Sequence, residues 1–299
     1  MTMHVTPPVE SLTTLTRPPV PEILTLTQLD RDVFRGRSHT SARRIYGGQT
    51  IGQALVAAGR TVEHDHRPHS VHGHFIHPGR SDHPVDYRVE RVRDGGSFTT
   101  RLVRAVQNDR TLMLATVSFH RDESGLAHQD TGPTPGPAPE DLPRFEHSLS
   151  ASDLGDAEWL RPLLANVGVE FRFPDEYPRV ANRRGERLPP RQRAWIRTPT
   201  ALDDEPLVQA AGFAYCSDLF LLSAVLPPHG RHIDTPGLKL ASLDHTVWLH
   251  EPFGADEWHL YEQHGYWMGG GRGISRGRLY SREGVLKAST MQEGLLRFR

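Results

Sequence analysis

The chain has 299 residues, of which 36% are hydrophobic and 24% charged, a composition typical of one large or two ordinary folded domains and not of a disordered chain. Lysine plus arginine (35) nearly equals aspartate plus glutamate (36), so the charge shows no sign of the basic domain that nucleic-acid binders usually carry. The single cysteine, Cys216, excludes an internal disulfide framework.

The first 22 residues predict a disordered arm. They are rich in proline and threonine, which resist regular structure, and they lack the apolar core of a signal peptide. No run approaches the roughly 18 apolar residues of a membrane span, and the chain ends in Arg297-Phe298-Arg299 rather than in a Ser-Lys-Leu peroxisomal address. We therefore expect a cytoplasmic protein that contacts neither membrane nor nucleic acid.

The first half of the chain begins with a helix signal and continues with strands. Ile51, Ala54, Leu55 and Ala58 have the i, i+3, i+4, i+7 spacing of one helical face. Residues 85–90 alternate between apolar and charged side chains, which predicts a strand with one buried face. Further strands are predicted at 98–107 and 111–120, separated by turn-forming residues at 94–96 and 108–109.

A proline-rich segment at residues 128–143 predicts an extended linker near the middle of the chain. Beyond it the order of elements repeats. Residues 208–226 are long and apolar enough for one buried helix, which Pro227-Pro228 ends, and four strand-like segments follow at 238–250, 257–266, 273–281 and 285–297.

The two halves can be aligned with each other. Residues 70–77 match 242–250, and 114–116 match 287–289, with offsets of about 172 to 173 residues. The sequence therefore predicts an internal duplication of the α+β class, in which each unit is a long helix wrapped by an antiparallel sheet.

Short motifs spread over both halves carry a more specific resemblance. From about residue 23 to the end, thinning between 128 and 190, the chain resembles the acyl-CoA thioesterase II family, which implies a double hot-dog fold with two sheets joined edge to edge. The predicted division is an arm (1–22), an N-terminal hot-dog (23–127), a linker (128–160) and a C-terminal hot-dog (161–299). The motifs are Phe34-Arg35-Gly36, Tyr46-Gly47-Gly48-Gln49-Thr50, Arg93-Asp94-Gly95-Gly96, Ser217-Asp218-Leu219, Ser242-Leu243-Asp244-His245 and Ser289-Thr290-Met291-Gln292.

The resemblance implies hydrolysis of fatty acyl-CoA with no metal or organic cofactor, and hence a role in lipid and fatty acid metabolism. It assigns activation of the attacking water to Asp218, Ser242 and Gln292. The familiar family pattern has threonine at the second of these positions; serine keeps the hydroxyl group but lacks the methyl group that restricts the rotamer. A carboxylate is a suitable general base when water lies within hydrogen-bonding distance.

Two other kinds of chemistry are compatible with single features of the sequence. Ser242 beside Asp244-His245 could suggest a serine nucleophile, but neighbours on a strand face opposite ways and no Gly-x-Ser-x-Gly motif is present. His72 and His74 share one strand face, yet no established zinc pattern occurs, so structural or solvent-facing roles are expected and no metal is assigned.

The sequence allows two alternative functions: an acyl-CoA binding or sensing protein without hydrolytic activity, and a hot-dog enoyl-CoA hydratase. The hydratase lacks support, because the chain has no Asp-x-Asn-Pro-x-His arrangement. Because sheet edges in such folds usually pair between subunits, we also expect a homo-oligomer, a dimer or larger.

Overall fold

The computed structural model describes residues 19–38, 44–130, 132–134, 136–148 and 167–298. Residues 1–18 of the predicted arm and 149–160 of the predicted linker lie outside this part of the chain. The end of the arm differs from the prediction, because residues 20–22 open a short helix, α1 (Val20–Leu24), with Pro21 in its first turn. Proline is well tolerated there, since the first turn does not use its missing N–H.

The predicted elements of the first half are confirmed, with small changes in their bounds. The predicted helix is α2 (Gly47–Gly59). In the predicted turn at 108–109, Asn108 and Asp109 have positive φ angles of 48° and 59°, as a tight hairpin turn requires. The strands are β1 (Thr27–Asp30), β2 (Val33–Gly36), β3 (His66–Phe75), β4 (Val85–Asp94), β5 (Phe98–Gln107) and β6 (Arg110–Arg121).

The second half begins with short elements and then follows the predicted order. The segment predicted as one strand at 238–250 is two strands, because the chain changes partner at Leu243, whose N–H donates to the carbonyl of Glu293. The elements are α3 (Phe145–Ser148), β7 (Glu170–Arg172), α4 (Pro178–Arg183), β8 (Arg191–Arg197), α5 (Pro206–Ser217), β9 (Leu238–Ser242), β10 (Asp244–Leu249), β11 (His259–Gly269), β12 (Arg272–Tyr280) and β13 (Leu286–Phe298).

The helix predicted at residues 208–226 ends earlier than expected. Asp218 follows α5 as its C-cap, and Phe220 adopts a left-handed φ of 60°, which no α-helix can continue through. The chain then forms two short 3₁₀ turns, Leu221–Val225 and Pro227–His229. The ring of Phe220 packs edge-on against Phe171, with ring centroids 5.1 Å apart. This packing offsets the backbone strain at the turn.

All thirteen strands of the described residues form one antiparallel sheet. Its order is β1-β2-β4-β5-β6-β3-β10-β13-β12-β11-β8-β7, with β9 added on β13. The halves meet where β3 pairs with β10, and Gly73 lies opposite His245. Because these two residues are also counterparts at the offset of 172, an approximate two-fold axis passes between them. This geometry supports the predicted edge-to-edge joining of a duplicated unit.

The strand register corrects one part of the predicted alignment. His74 pairs with Leu114, whereas its counterpart Thr246 pairs with Met291. Leu114 therefore corresponds to Met291 and not to Lys287, and the next residue, Ala115, corresponds to Gln292. The error came from aligning similar residues without allowing for different loop lengths in the two halves.

The helices α2 and α5 run antiparallel against each other in the core. A Cβ added at Gly52 would lie 3.0 Å from the carbonyl oxygen of Ala211, and one added at Gly59 would touch Leu207. The expectation that no run approaches the length of a membrane span was wrong for residues 206–229, which are long and apolar enough to cross a membrane. Their most apolar part is 89% buried inside the fold. Their apolar side chains pack within the helix pair and against the surrounding sheet.

Candidate active site

The three predicted residues come together where α5 ends and α2 begins. The Asp218 carboxylate accepts a hydrogen bond from the Gly48 N–H, at 2.9 Å between Gly48 N and Asp218 Oδ2. Gly48 belongs to the first turn of α2, where the helix dipole stabilises negative charge. The early end of α5 thus places an acidic side chain from the second half on the N-terminus of the helix from the first half.

Gln292 links the other two residues. Its side chain is fully buried on β13, and Nε2 donates one hydrogen bond to Asp218 Oδ1 and one, of 2.9 Å, to Ser242 Oγ. Both amide hydrogens are therefore used, which leaves the Ser242 hydroxyl hydrogen free for another acceptor. The Gln292 oxygen is buried and has no hydrogen-bond partner among the described residues. The predicted trio is a connected hydrogen-bonded set; its catalytic role stays a prediction.

The two glycines that open α2 permit this close approach. A Cβ on Gly48 would lie 2.2 Å from the Tyr215 carbonyl oxygen, and one on Gly47 would lie 2.7 Å from Asp218 Oδ2. The Tyr46 hydroxyl donates to the same Tyr215 carbonyl at 2.8 Å. Burial, and then the nearby Asp218 carboxylate, hold the pKa of Tyr46 well above its usual range, so this phenol stays protonated and acts as a donor.

A second buried network lies behind Asp218, and the sequence did not predict it. Ser217 Oγ donates to the Ala214 carbonyl at 3.0 Å and lies 2.7 Å from His245 Nε2. The tautomer of the imidazole sets the direction of this contact: when the one hydroxyl hydrogen goes to Ala214, the Nε2–H of neutral His245 donates to Ser217 Oγ. Burial lowers the pKa of His245, which favours this neutral form. The Tyr261 hydroxyl donates to the Ser217 carbonyl at 2.9 Å and so fixes the end of α5.

This arrangement also bears on the serine-nucleophile alternative. His245 points into the core toward Ser217, whereas Asp244 contacts His72, with 3.3 Å between Asp244 Oδ2 and His72 Nε2. Ser242 is bonded to Gln292 instead. Among the residues that the structure describes, no Ser-His-Asp triad forms around Ser242, which agrees with the expectation from strand alternation.

Cys216, next to the trio in sequence, is buried. Burial raises the pKa of its thiol, so the nucleophilic thiolate is disfavoured. The small residues Gly52, Ala54 and Ala57 are of a size that could line an acyl tunnel. They are buried in α2, and Gly52 is packed against the backbone of α5. Ordinary helix packing accounts for them.

Comparisons with known proteins agree with one another. A family model described as acyl-CoA thioesterase matches residues 169–295, and one described as acyl-CoA thioesterase N-terminal domain matches residues 34–120. Acyl-CoA thioesterase 2 of Haemophilus influenzae is 35% identical, with 92% of this chain and 96% of that protein covered. Human acyl-coenzyme A thioesterase 8 is 36% identical, with 94% of this chain and 89% of that protein covered.

Solved structures give the same result. An acyl-CoA thioesterase II from Mycobacterium marinum matches with a TM-score of 0.75 and 34% identity, covering 94% of this chain and 97% of that one. A protein with the hot-dog fold from Alicyclobacillus acidocaldarius matches with a TM-score of 0.73 at 19% identity, over 94% and 98% of the two chains. The second match bears on the fold alone, and it identifies the fold as a hot-dog fold.

Proposed function

Since this chain belongs to the acyl-CoA thioesterase family and hydrolyses acyl-CoA thioesters, we propose that Asp218, Ser242 and Gln292 activate the attacking water. The observation that carries this proposal is the Gln292 amide, which holds a carboxylate and a hydroxyl together at the N-terminus of α2. A water bound between Asp218 and Ser242 would have an acceptor for its proton and a second group to fix its direction.

The proposed reaction needs no covalent intermediate. The water oxygen attacks the thioester carbonyl carbon while Asp218 takes one of the water protons. The C–S bond then breaks to release the acid and the CoA thiolate, and Asp218 returns the proton to this thiolate. The positive end of the α2 dipole favours the negative charge that develops on the carbonyl oxygen. The Gly48 N–H is already bonded to Asp218, so the oxyanion donor is another group at this end of the helix.

Replacing Asp218 tests the proposal. Asp218→Asn removes the base while keeping the shape, and we expect kcat for CoA release to fall about 100- to 10,000-fold. A matched control is Asp256→Asn, because Asp256 also accepts a backbone N–H, that of Leu202 at 3.2 Å, but lies away from the trio. Folding of each variant is checked by circular dichroism. Near-full activity in folded Asp218→Asn would contradict the assignment.

The same assay separates the alternative functions. A chain that binds acyl-CoA without releasing CoA would be a sensor, and one that hydrates enoyl-CoA without releasing CoA would be a hydratase. Family membership favours hydrolysis over both. Because the substrate is an acyl-CoA, we place the protein in lipid and fatty acid metabolism; fatty acyl chains form part of this proposal.

The finer organisation is also proposed. We propose two hot-dog units, 23–127 and 161–299, each with its sheet wrapped around its own helix, joined by a linker at 128–160 and preceded by an arm that ends before α1. Contacts of α2 with strands β2 to β6 support the first unit. We further propose a cytoplasmic homo-oligomer. The exposed edge strand β1 supports assembly, since unpaired edges tend to find partners. Light scattering would measure the mass; a monomer would contradict this part.

A further inference from the structure

Three side chains with metal-binding atoms meet on the sheet face that points away from the helices. His72 and His74 alternate along β3 and so share one face, and Asp244 lies directly opposite His74 on β10. The two imidazole rings are 4.4 Å apart between centroids, and His72 Nε2 lies 3.3 Å from Asp244 Oδ2. One ligand atom from each of the three residues fits within 4.8 Å of the others.

The joining of the two halves explains why these residues meet. His72 and Asp244 are counterparts in the duplication, and they lie diagonally across the Gly73–His245 pair, through which the approximate two-fold axis passes. A Cβ on Gly73 would point inward to Ile51, and His245 also points inward. The cluster is therefore on the opposite side of the sheet from Asp218 and takes no part in the proposed hydrolysis.

The donor set suits a particular class of ion. Two imidazoles and one carboxylate are favoured ligands of divalent first-row transition metals such as Zn²⁺ and Cu²⁺, which bind them at about 2.0 to 2.2 Å. The carboxylate is already oriented, because Asp244 Oδ1 accepts the Glu293 N–H at 2.7 Å and leaves Oδ2 toward the histidines. All three side chains are partly exposed, so they can close around an ion while water completes its coordination.

From this geometry we propose that His72, His74 and Asp244 form a binding site for a divalent first-row transition metal. In the part of the chain that the structure describes, no arginine or lysine forms an ion pair with Asp244. A second cluster consists of Glu63, Asp65 and His66. In this cluster the carboxylate of Asp65 is already paired with Arg121, at 2.6 Å. The second cluster thus serves as an internal comparison.

Calorimetric titration of the chelator-treated full chain with Zn²⁺ tests the site. We expect one strong equivalent per chain, and an affinity at least tenfold lower in His74→Ala and in Asp244→Asn. The matched controls are His77→Ala, an exposed histidine on the same segment, and Asp65→Asn in the second cluster, both of which should bind as the unmodified chain does. Thermal melting checks that each variant is folded. If His74→Ala is not folded, His74→Gln replaces it in the titration.

A spectroscopic readout identifies the ligands. Cu²⁺ bound to the unmodified chain should show electron paramagnetic resonance splitting from two imidazole nitrogens, reduced to one in His74→Ala. Unchanged Zn²⁺ affinity in His74→Ala, or no binding tighter than on the order of 1 mM, would overturn the proposal. Asp218→Asn should bind the metal normally, so the failure of this site and the failure of the proposed catalytic assignment would be told apart.

Discussion

Gly48→Ala is expected to damage stability and activity together, because this glycine lies between the two core helices. The new Cβ would be 2.2 Å from the Tyr215 carbonyl oxygen, whereas unbonded carbon and oxygen atoms normally stay about 3.3 Å apart. The helices would have to separate by about 1 Å. That shift would lengthen the 2.9 Å hydrogen bond from Gly48 to Asp218 beyond bonding distance.

The magnitude follows from these two effects. Forcing extra volume into a packed core costs about 1–3 kcal/mol, and losing a hydrogen bond to a charged group costs about 1.5–3 kcal/mol. We expect the free energy of unfolding in denaturant to fall by about 3–5 kcal/mol. Displacing Asp218 by about 1 Å should also lower kcat about 100-fold.

Two further glycines give a graded series. Gly96→Ala should be nearly neutral, since its Cβ meets no atom within 4 Å. Gly52→Ala should be intermediate, because its Cβ would lie 2.9 Å from a flexible Leu24 methyl group and 3.0 Å from the Ala211 carbonyl oxygen. If Gly48→Ala were no more destabilising than Gly96→Ala, or kept full activity, the account of the helix contact would be wrong.

Three other predictions concern single side chains. Ser242→Thr should hold or raise kcat for CoA release, because it keeps the hydroxyl that accepts from Gln292 and restricts its rotamer; a collapse in rate would contradict the alignment of the second half. Cys216 should not react with a thiol reagent until denaturant is added, because it is 2% exposed and burial raises its pKa; fast labelling of native protein would contradict this. Burial raises the pKa of Glu170, but hydrogen bonds from Arg172 and Arg197 outweigh it and hold the pKa below its ordinary value of 4.5. Its stabilising effect is therefore present above that value and lost as pH falls through the folded-state pKa. Glu170→Gln should cost about 2–3 kcal/mol at neutral pH, and clearly less in acid, in denaturant titrations at several pH values; an equal loss at every pH would contradict the ion-pair explanation.

Much of the secondary structure followed from local patterns. Elements that depend on near neighbours were predicted correctly: the strand at 98–107 from its residue pattern, the turn at Asn108 from its turn-forming residues, and α2 from the helical spacing of its apolar residues. The end of α5 could not be predicted from such local patterns. Residues 219–226 are apolar apart from Ser223, a composition that suits both a continued helix and a turn back into the core. The left-handed Phe220 is stabilised by Phe171, which is distant in sequence.

The candidate site was predictable only through family resemblance. Asp218 stood out as a carboxylate in an apolar run, but Ser242 and Gln292 are ordinary polar residues until the sheet brings them within one hydrogen-bonded set. The Ser217–His245 contact joins residues 28 positions apart with no spacing pattern of its own. For the cluster that we propose as a metal site, strand alternation already placed His72 and His74 on one face, whereas the position of Asp244 beside them depends on the register between the two halves.

The hydrogen bond between Gly48 and Asp218 crosses from one half of the chain to the other, so the proposed site is complete only when both halves are docked. In two separate chains such a site would depend on protein concentration and would be lost on dilution. A covalent connection makes the encounter intramolecular, at an effective concentration that dilution does not change. It also lets the two halves differ: by strand register Ala115 stands in the first half where the second has Gln292, so only one of the two positions carries the amide.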